Sequence, residues 1–165
     1  MIPVEVRQCT RAELDALLAR EPNEARRIYE VERFESQERG ECALLVAWHG
    51  ETIHGRVRLR WWSKYDEVRD EFGDFPEINA LDAWPTGERV GSQIIDACEL
   101  LSVERGYERV GIGVEVTNVD ARRLYERLGY EPWNNVIDRW DEFDETGAVA
   151  VVHQDPAVYL IKPLP

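Results

Sequence analysis

Lysine, cysteine and long apolar runs are scarce in this sequence, and each scarcity excludes a class of protein. Lysine occurs only at Lys64 and Lys162, and 20 basic residues stand against 33 acidic ones, giving a formal net charge of −13. This charge argues against a nucleic-acid backbone or an anionic membrane surface as a partner. It is compatible with a cationic partner, although a solvated acidic surface explains most of it. No apolar run approaches membrane-spanning length.

The cysteines exclude two further classes. Cys9, Cys42 and Cys98 are odd in number, widely spaced and free of any C-x-x-C pattern. They indicate reduced thiols rather than a disulfide framework or a zinc site, and the three histidines form no metal-ligand spacing. The N-terminal segment MIPVEVRQCT lacks the basic and apolar regions of a signal peptide. We therefore expect a cytoplasmic protein without a bound metal.

Apolar periodicity and capping signals predict one domain over residues 1–165 in which strands and helices alternate. The predicted strands are Ile2–Arg7, Cys42–Trp48, Ile53–Trp62, Pro76–Trp84, Arg109–Val116, Val136–Phe143 and Ala148–Ile161. The predicted helices are Arg11–Arg20, one from Pro22 to Gly40, Ser92–Arg105 and Asp120–Leu128, and a charged, aromatic loop covers Ser63–Phe75. A helix between two strands joins them in parallel. The sequence thus predicts an α/β fold with a mixed sheet, antiparallel at its ends and parallel in the middle, flanked by about four helices.

The loop WPTGERVGSQII, Trp84–Ile95, lies between a predicted strand and a predicted helix. Unpaired backbone N–H groups and the positive end of the helix dipole favour an anion at such a place. Glycines at positions 87 and 91 let the backbone approach that anion closely. Many strand-to-helix turns carry glycine and bind nothing, so the loop alone indicates a turn as readily as a phosphate site.

The segment Leu81–Trp133 resembles the central motifs of the GNAT superfamily, the acyl-CoA-dependent N-acyltransferases. The closest match is the tail VTNVDARRLYERLGYEPW, where an asparagine follows a strand and precedes a helix with the pattern A-R-x-L-Y-E-R-L-G-Y. The resemblance implies a single-domain GNAT-like fold with two splayed parallel strands in the middle of the sheet. It also implies acetyl-CoA as co-substrate.

The resemblance assigns a set of residues to the cofactor. The pyrophosphate signature of the family is Q/R-x-x-G-x-G/A, and this sequence departs from it with Thr86 in place of Gln or Arg and Arg89 in place of the middle glycine. Backbone amides on a bulged strand would pair with the pantetheine arm, and Asn118 would hydrogen-bond that arm or cap a helix, or do both. The cofactor-binding residues implied are Leu81, Ala83, Thr86, Gly87, Arg89, Val90, Gly91, Ser92, Asn118 and Tyr125.

Catalytic roles also follow from the resemblance. Tyr125 is the leading candidate for the general acid that protonates the departing thiolate, because phenol and thiol pKa values lie close together. The alternative is an ordinary core tyrosine, with Tyr130 also available. For the base that deprotonates the acceptor amine, Glu77 ranks first, Glu115 second and Asp82 third, and a water relay competes with all three. Glu77 and Asp82 would share a face only if a bulge lies between them.

The resemblance also implies an acceptor pocket lined by the second helix and by the loop after the third strand. Trp61, Trp62, Tyr65 and Phe72 would form an aromatic box for a cation, and Asp66 with its acidic neighbours would add negative charge. This arrangement favours a small, positively charged amine. The alternative is a solvated charged loop whose aromatic residues cover the sheet edge.

Two functions therefore stand open from the sequence. The first is an N-acetyltransferase that transfers an acetyl group from acetyl-CoA to a primary amine of a small, cationic molecule by direct attack. The second is a GNAT-fold module that binds acyl-CoA or a partner with little or no catalysis. We expect no nucleic acid, membrane or metal partner, and the chain could pair with itself as a homodimer.

Overall fold

Seven strands form a single sheet in the computed structural model, which describes all 165 residues. They are β1 (Glu5–Gln8), β2 (Cys42–His49), β3 (Thr52–Arg60), β4 (Glu77–Ala83), β5 (Arg109–Glu115), β6 (Glu131–Phe143) and β7 (Val149–Pro163). Their order across the sheet is β1-β2-β3-β4-β5-β7-β6. Only β4 and β5 are parallel, and every other neighbouring pair is antiparallel. The predicted α/β fold and mixed sheet are confirmed.

Five helices accompany the sheet, one more than expected. They are α1 (Arg11–Ala19), α2 (Glu24–Glu38), α3 (Asp66–Phe72), α4 (Val90–Glu104) and α5 (Val119–Arg127). The additional helix, α3, lies in the segment predicted as a loop. It escaped prediction because it spans two turns, buries only Val68 and begins after Tyr65, whose side chain makes no capping hydrogen bond. None of the five combines the length and apolarity needed to cross a bilayer.

Strand β2 separates two cores. Every residue from Cys42 to Trp48 is buried, because alternate side chains point to opposite faces of the sheet. Ala43, Leu45 and Ala47 pack into the main core with α4, whereas Leu44, Val46 and Trp48 pack with α1 and α2. The uninterrupted apolar run in the sequence is therefore the signature of a strand covered on both faces.

The two ends of the sheet differ from the prediction in length. Residues 2–4 do not continue β1; instead, the Ile2 amide donates to the Glu88 carbonyl, and the Val4 amide donates to the Gln93 side chain. At the other end, β6 begins five residues before the predicted Val136. Pro132 and two asparagines made this stretch a poor strand candidate, but β6 is an edge strand, where proline is tolerated.

The parallel pair β4–β5 is short. Its register contains only Glu77 opposite Gly111 and Ile78 opposite Ile112. Beyond these residues the strands separate, because β4 contains a bulge. The register with β3 steps from Arg58–Asn79 to Arg56–Asp82, which places one extra residue on β4, and Ala80 adopts a positive φ of 53°. A bulge bends its strand, and here it opens the sheet where β4 and β5 part.

Candidate active site

A cleft of about 850 Å³ opens where β4 and β5 diverge. Its floor is the β4 segment 78–81 and the β5 segment 112–115. One wall comes from α2 and β3, the other comes from the β6 arm, and α5 contributes Asn118 and Tyr125. The cleft is thus built from both parallel strands and from segments distant in sequence.

Arg56 fixes the bulge at the edge of this cleft. Its Nη1 donates a hydrogen bond to the Ala80 carbonyl, so that carbonyl points back towards β3. In a trans peptide the C=O and the following N–H point in opposite directions. The Leu81 amide therefore points away from the Arg56 guanidinium, and Leu81 itself lines the opening between the strands. Such an amide can pair with an extended ligand or polarise a carbonyl oxygen.

A buried carboxylate holds Arg56 in turn. Glu30 on α2 is 6% exposed, and its Oε1 accepts from Arg56 Nε at 2.6 Å and from Arg33 Nη1 at 2.8 Å. Removing one member of a buried ion pair typically costs about 3–5 kcal/mol, because the remaining charge is left without a partner. The bulge geometry therefore depends on a charge network that runs from α2 to β4.

The N-terminus of α4 has no side-chain cap. Thr10, Asn23 and Asn118 cap α1, α2 and α5, whereas the residue at the N-cap of α4 is Arg89, which makes no side-chain cap hydrogen bond. Arg89 lies in the left-handed region with a φ of 60°, and Gly87 has a φ of 82°. The first-turn amides of a 15-residue helix are thus left available for an anion.

The predicted cofactor residues of this loop surround that helix end. Thr86, Gly87 and Arg89 are exposed in the turn, and the helix begins at Val90, two residues before the predicted Ser92. A Cβ added at Gly91 would meet no atom within 4 Å. The space beside Gly91 is therefore open, as an anion cradle requires. Val90 itself is buried in the main core, so only its backbone faces the loop.

Tyr125 and Asn118 both lie in the cleft. The Asn118 side chain accepts from the Ala121 amide at 3.3 Å, so it does cap α5. Tyr125 is 8% exposed, and burial raises its pKa to about 12. Tyr130 is engaged elsewhere, because its hydroxyl donates to Glu99 at 3.0 Å. Of the two tyrosines, only Tyr125 lines the cleft.

The three candidate carboxylates do not come together. Glu77 is fully buried outside the cleft, where it accepts hydrogen bonds from the Ser63 hydroxyl, the Lys64 amide and the Asn79 side chain. Asp82 is exposed beyond the bulge and does not line the cleft either. The bulge is present as expected, yet it leaves these two side chains in different surroundings.

Glu115 is the predicted carboxylate that lines the cleft. Burial, followed by the negative charges of Asp155 and Asp138, raises its pKa above the usual range. Asp138 and Asp155 face each other across β6 and β7. Sequence reasoning missed both, because the β5–β7 pairing that brings this hairpin to Glu115 joins residues as far apart in the chain as Glu115 and Ala157.

The expected aromatic box is not assembled. Trp61 stacks on Tyr107 with ring centroids 6.2 Å apart and packs in the main core with Trp62 beside it. Phe72 packs on Phe75 and Trp133. Asp66 is exposed at the start of α3, where it pairs with Arg69.

Tyr65 is the member of that set which reaches the cleft. It lines the cleft and donates to Asp138 at 3.3 Å. Arginines take the place of the aromatic box, with Arg33, Arg58 and Arg60 on the α2–β3 wall. The sequence did contain a signal for them, since arginine occupies every second position at 56, 58 and 60.

Comparison with known proteins agrees with this architecture. Residues 11–130 match the model of the acetyltransferase (GNAT) family. Among solved structures, a ribosomal-protein-alanine N-acetyltransferase from Brucella melitensis superposes with a TM-score of 0.68 at 18% identity, covering 97% of this chain and 99% of that one. A GNAT family acetyltransferase from Elizabethkingia anophelis with acetyl-CoA bound gives 0.62 at 14% identity, with 98% of each chain covered.

A third solved structure is Arabidopsis thaliana NAA60 in complex with a bisubstrate analogue. It gives a TM-score of 0.68 at 17% identity, with 98% of each chain covered. No curated protein sequence matches the chain significantly. The likeness to these structures shows the fold, and the family model shows the family.

Gly91→Ala separates folding from anion binding at α4. The new methyl group meets no protein atom, and alanine is favoured over glycine in a helix by up to about 1 kcal/mol. We expect an unchanged or higher free energy of unfolding in urea. We also expect roughly tenfold weaker acetyl-CoA binding, a loss of about 1.4 kcal/mol, measured by titration. Unchanged acetyl-CoA affinity would place the diphosphate elsewhere.

Arg56→Lys tests the control of the bulge. An ammonium cannot reproduce the fork that contacts both Glu30 and the Ala80 carbonyl, so the Leu81 amide loses its fixed orientation. We expect kcat for acetyl-CoA-dependent turnover to fall roughly tenfold, less than the loss of an entire oxyanion donor, and the free energy of unfolding to fall by about 1–3 kcal/mol. Arg11→Lys, in an exposed pair with Glu38, is the control. Full turnover in the Arg56 variant would show that Arg56 does not orient the bulge.

Proposed function

Because the chain belongs to the acetyltransferase (GNAT) family and is thereby an acetyl-CoA-dependent N-acetyltransferase, we propose that its acceptor is the primary amine of a small molecule. In this proposal the amine attacks the thioester directly. The observation that carries it is the cleft itself: β4 and β5 stop pairing after two residues, and the opening between them is lined by Leu81, Glu115 and Tyr125. Its size favours a small acceptor.

The donor is held along one edge of the opening. The first-turn amides of α4 at Val90, Gly91 and Ser92 bind the diphosphate, together with the exposed turn at Thr86, Gly87 and Arg89. The pantetheine arm lies against the bulged end of β4 at Leu81 and Ala83, as an added strand would, and Asn118 hydrogen-bonds it. The uncapped helix end and the divergence of the two strands support this placement.

Three groups of the chain then act on the reacting atoms. The Leu81 amide stabilises the negative charge that develops on the thioester oxygen. Glu115 accepts the proton of the acceptor ammonium, directly or through one water, and its raised pKa makes it a stronger base than an ordinary carboxylate. The amine nitrogen bonds to the carbonyl carbon as the C–S bond breaks, and Tyr125 donates its proton to the departing sulfur. The second proton, which the nitrogen loses as it becomes an amide, restores the Tyr125 hydroxyl.

Tyr125 suits the role of acid for two reasons. Its raised pKa keeps it protonated at neutral pH. Tyr125 is also favoured over Tyr130 by its position, because Tyr125 lines the cleft whereas the Tyr130 hydroxyl donates to Glu99.

Tyr125→Phe removes the acid and leaves the ring. We expect turnover, read as released thiol with an amine from a screened library, to fall by roughly two orders of magnitude. Stabilisation by acetyl-CoA in a thermal-shift assay is expected to change little. Tyr130→Phe is the matched control for loss of a hydroxyl. Unchanged turnover in Tyr125→Phe would show that Tyr125 is not the acid. Wild-type protein that binds acetyl-CoA but acetylates no amine would instead favour a binding module.

Asp155→Asn tests Glu115 through the pH profile. The base form of Glu115 must be free, so kcat/KM rises with pH through its raised pKa. After burial, the negative charge of Asp155 does most to raise this pKa. Removing that charge lowers the pKa of Glu115, so the acidic limb of the pH profile is expected to move to lower pH. Asp141→Asn, on the same hairpin, is expected to leave the limb in place. An unmoved limb in Asp155→Asn would assign the base to another group.

A further inference from the structure

The charged residues of the cleft are divided between its two walls. The α2–β3 wall carries Arg33, Arg58 and Arg60 against one acidic residue, Glu32. The opposite side, with Glu115 on the β5 floor and Asp138 and Asp141 on the β6 wall, sets these three acidic residues against Arg139 and against Lys64, which pairs with Asp138. In a chain with 33 acidic and 20 basic residues, a wall with three arginines is a local reversal of charge.

The arginine wall is not saturated by the carboxylates around it. Arg33 shares Glu30 with Arg56, and Arg58 Nη1 binds Glu32 at 2.9 Å, which leaves Arg58 Nε buried without a hydrogen-bond partner. Burial is the main cause that lowers the pKa of Arg33, and repulsion by the charges of Arg56 and Arg58 lowers it further. The wall therefore retains positive charge beyond what its own partners neutralise.

Arg60 is the least satisfied of these residues. Its Nε donates to the Trp62 carbonyl at 3.3 Å, and no carboxylate lies within 4.0 Å of its nitrogens. It is only partly exposed, and burial is the main cause that lowers its pKa. Holding a guanidinium in partly buried surroundings costs free energy, and the negative charge of Glu77, its neighbour on β4, offsets only part of that cost. A ligand that brings an anionic oxygen pair to Arg60 recovers that cost.

We propose that the acceptor is a small amino acid, whose carboxylate binds Arg60 and Arg58 while its amine faces Glu115. This proposal rests on the N-acetyltransferase function and specifies its acceptor. A guanidinium presents a planar fork of donors that matches a carboxylate in two parallel hydrogen bonds. The acidic wall attracts the ammonium end at the same time. The cationic acceptor expected from the aromatic residues is thereby replaced by a zwitterion.

A phosphate ester that carries an amine offers the same kind of anionic oxygens as an amino acid, so the test includes both classes of acceptor. The panel consists of amino acids with one to four carbons between amine and carboxylate, each paired with its primary amide, plus O-phosphoethanolamine. Turnover is read as acetyl-CoA-dependent thiol release. Because a hydrogen bond to a charged group contributes about 1.5–3 kcal/mol, an acid is expected to exceed its amide in kcat/KM by roughly 10- to 100-fold. A phosphate ester that exceeds every acid would overturn the assignment to a carboxylate.

The variant Arg60→Gln tests whether Arg60 binds the carboxylate of the acceptor. We expect KM for the preferred acid to rise roughly tenfold or more, with kcat/KM for the paired amide within about twofold of wild type. Arg58→Gln is the second variant and is expected to reduce the same acid-to-amide ratio. Arg139→Gln, an equal change of charge on the opposite wall, is expected to keep the ratio. A loss of stability alone would lower both kcat/KM values together, which would contradict the proposed role of Arg60.

Failure of this inference is distinct from failure of the proposed function. If acetyl-CoA stabilises the protein and amides are acetylated as well as acids, the carboxylate site is disproved and the acetyltransferase remains. If acetyl-CoA gives no thermal shift and no amine releases thiol, the acetyltransferase proposal fails and the carboxylate site falls with it. A wild-type preference for acids that Arg60→Gln leaves unchanged would place the carboxylate on other residues.

Discussion

The hydrogen bond from Arg56 to the Ala80 carbonyl is the interaction on which the site depends. It holds one peptide of β4 at the bulge, and the pairing of β4 with β5 ends at Ile78, just before that bulge. The interaction is maintained by Glu30, a buried residue of α2 that binds the Arg56 guanidinium. The cleft is thus a consequence of one displaced residue and of the buried charge pair that keeps it displaced.

The donor half of the site was predictable because it is nearly contiguous. The loop after β4, the start of α4 and the asparagine and tyrosine of α5 all lie within residues 81–133, where the sequence resembles known motifs. The bulge and the splayed strands were expected from the same resemblance. What the sequence did not reveal there is the anchor of the bulge, since Arg56 and Glu30 lie outside that segment and are 26 residues apart.

The acceptor half was predictable only in part. The second helix was expected to line it and does so, but which side chains meet there depends on contacts between distant segments. The WWSKY segment looked like an aromatic cage, but Trp61 belongs to the main core and α3 carries Phe72 away from the cleft. Glu77 looked like a base because of its strand position, yet the turn at Ser63 and Lys64 folds over it and occupies its carboxylate. In both cases the alternation of side chains along the chain predicted which side of the sheet a residue lies on. It did not predict which distant segment packs against that side.

Strand β3 has a consequence for how such a protein can diversify. Val57 and Leu59 are fully buried in the main core beside α4, whereas the arginines that alternate with them, at positions 56, 58 and 60, face α2 and the cleft. Alternation therefore places the side chains that pack in the core and the side chains that line the cleft on opposite sides of one backbone segment. Substitutions at positions 58 and 60 are therefore expected to change the lining of the cleft while Val57 and Leu59 keep their packing against α4.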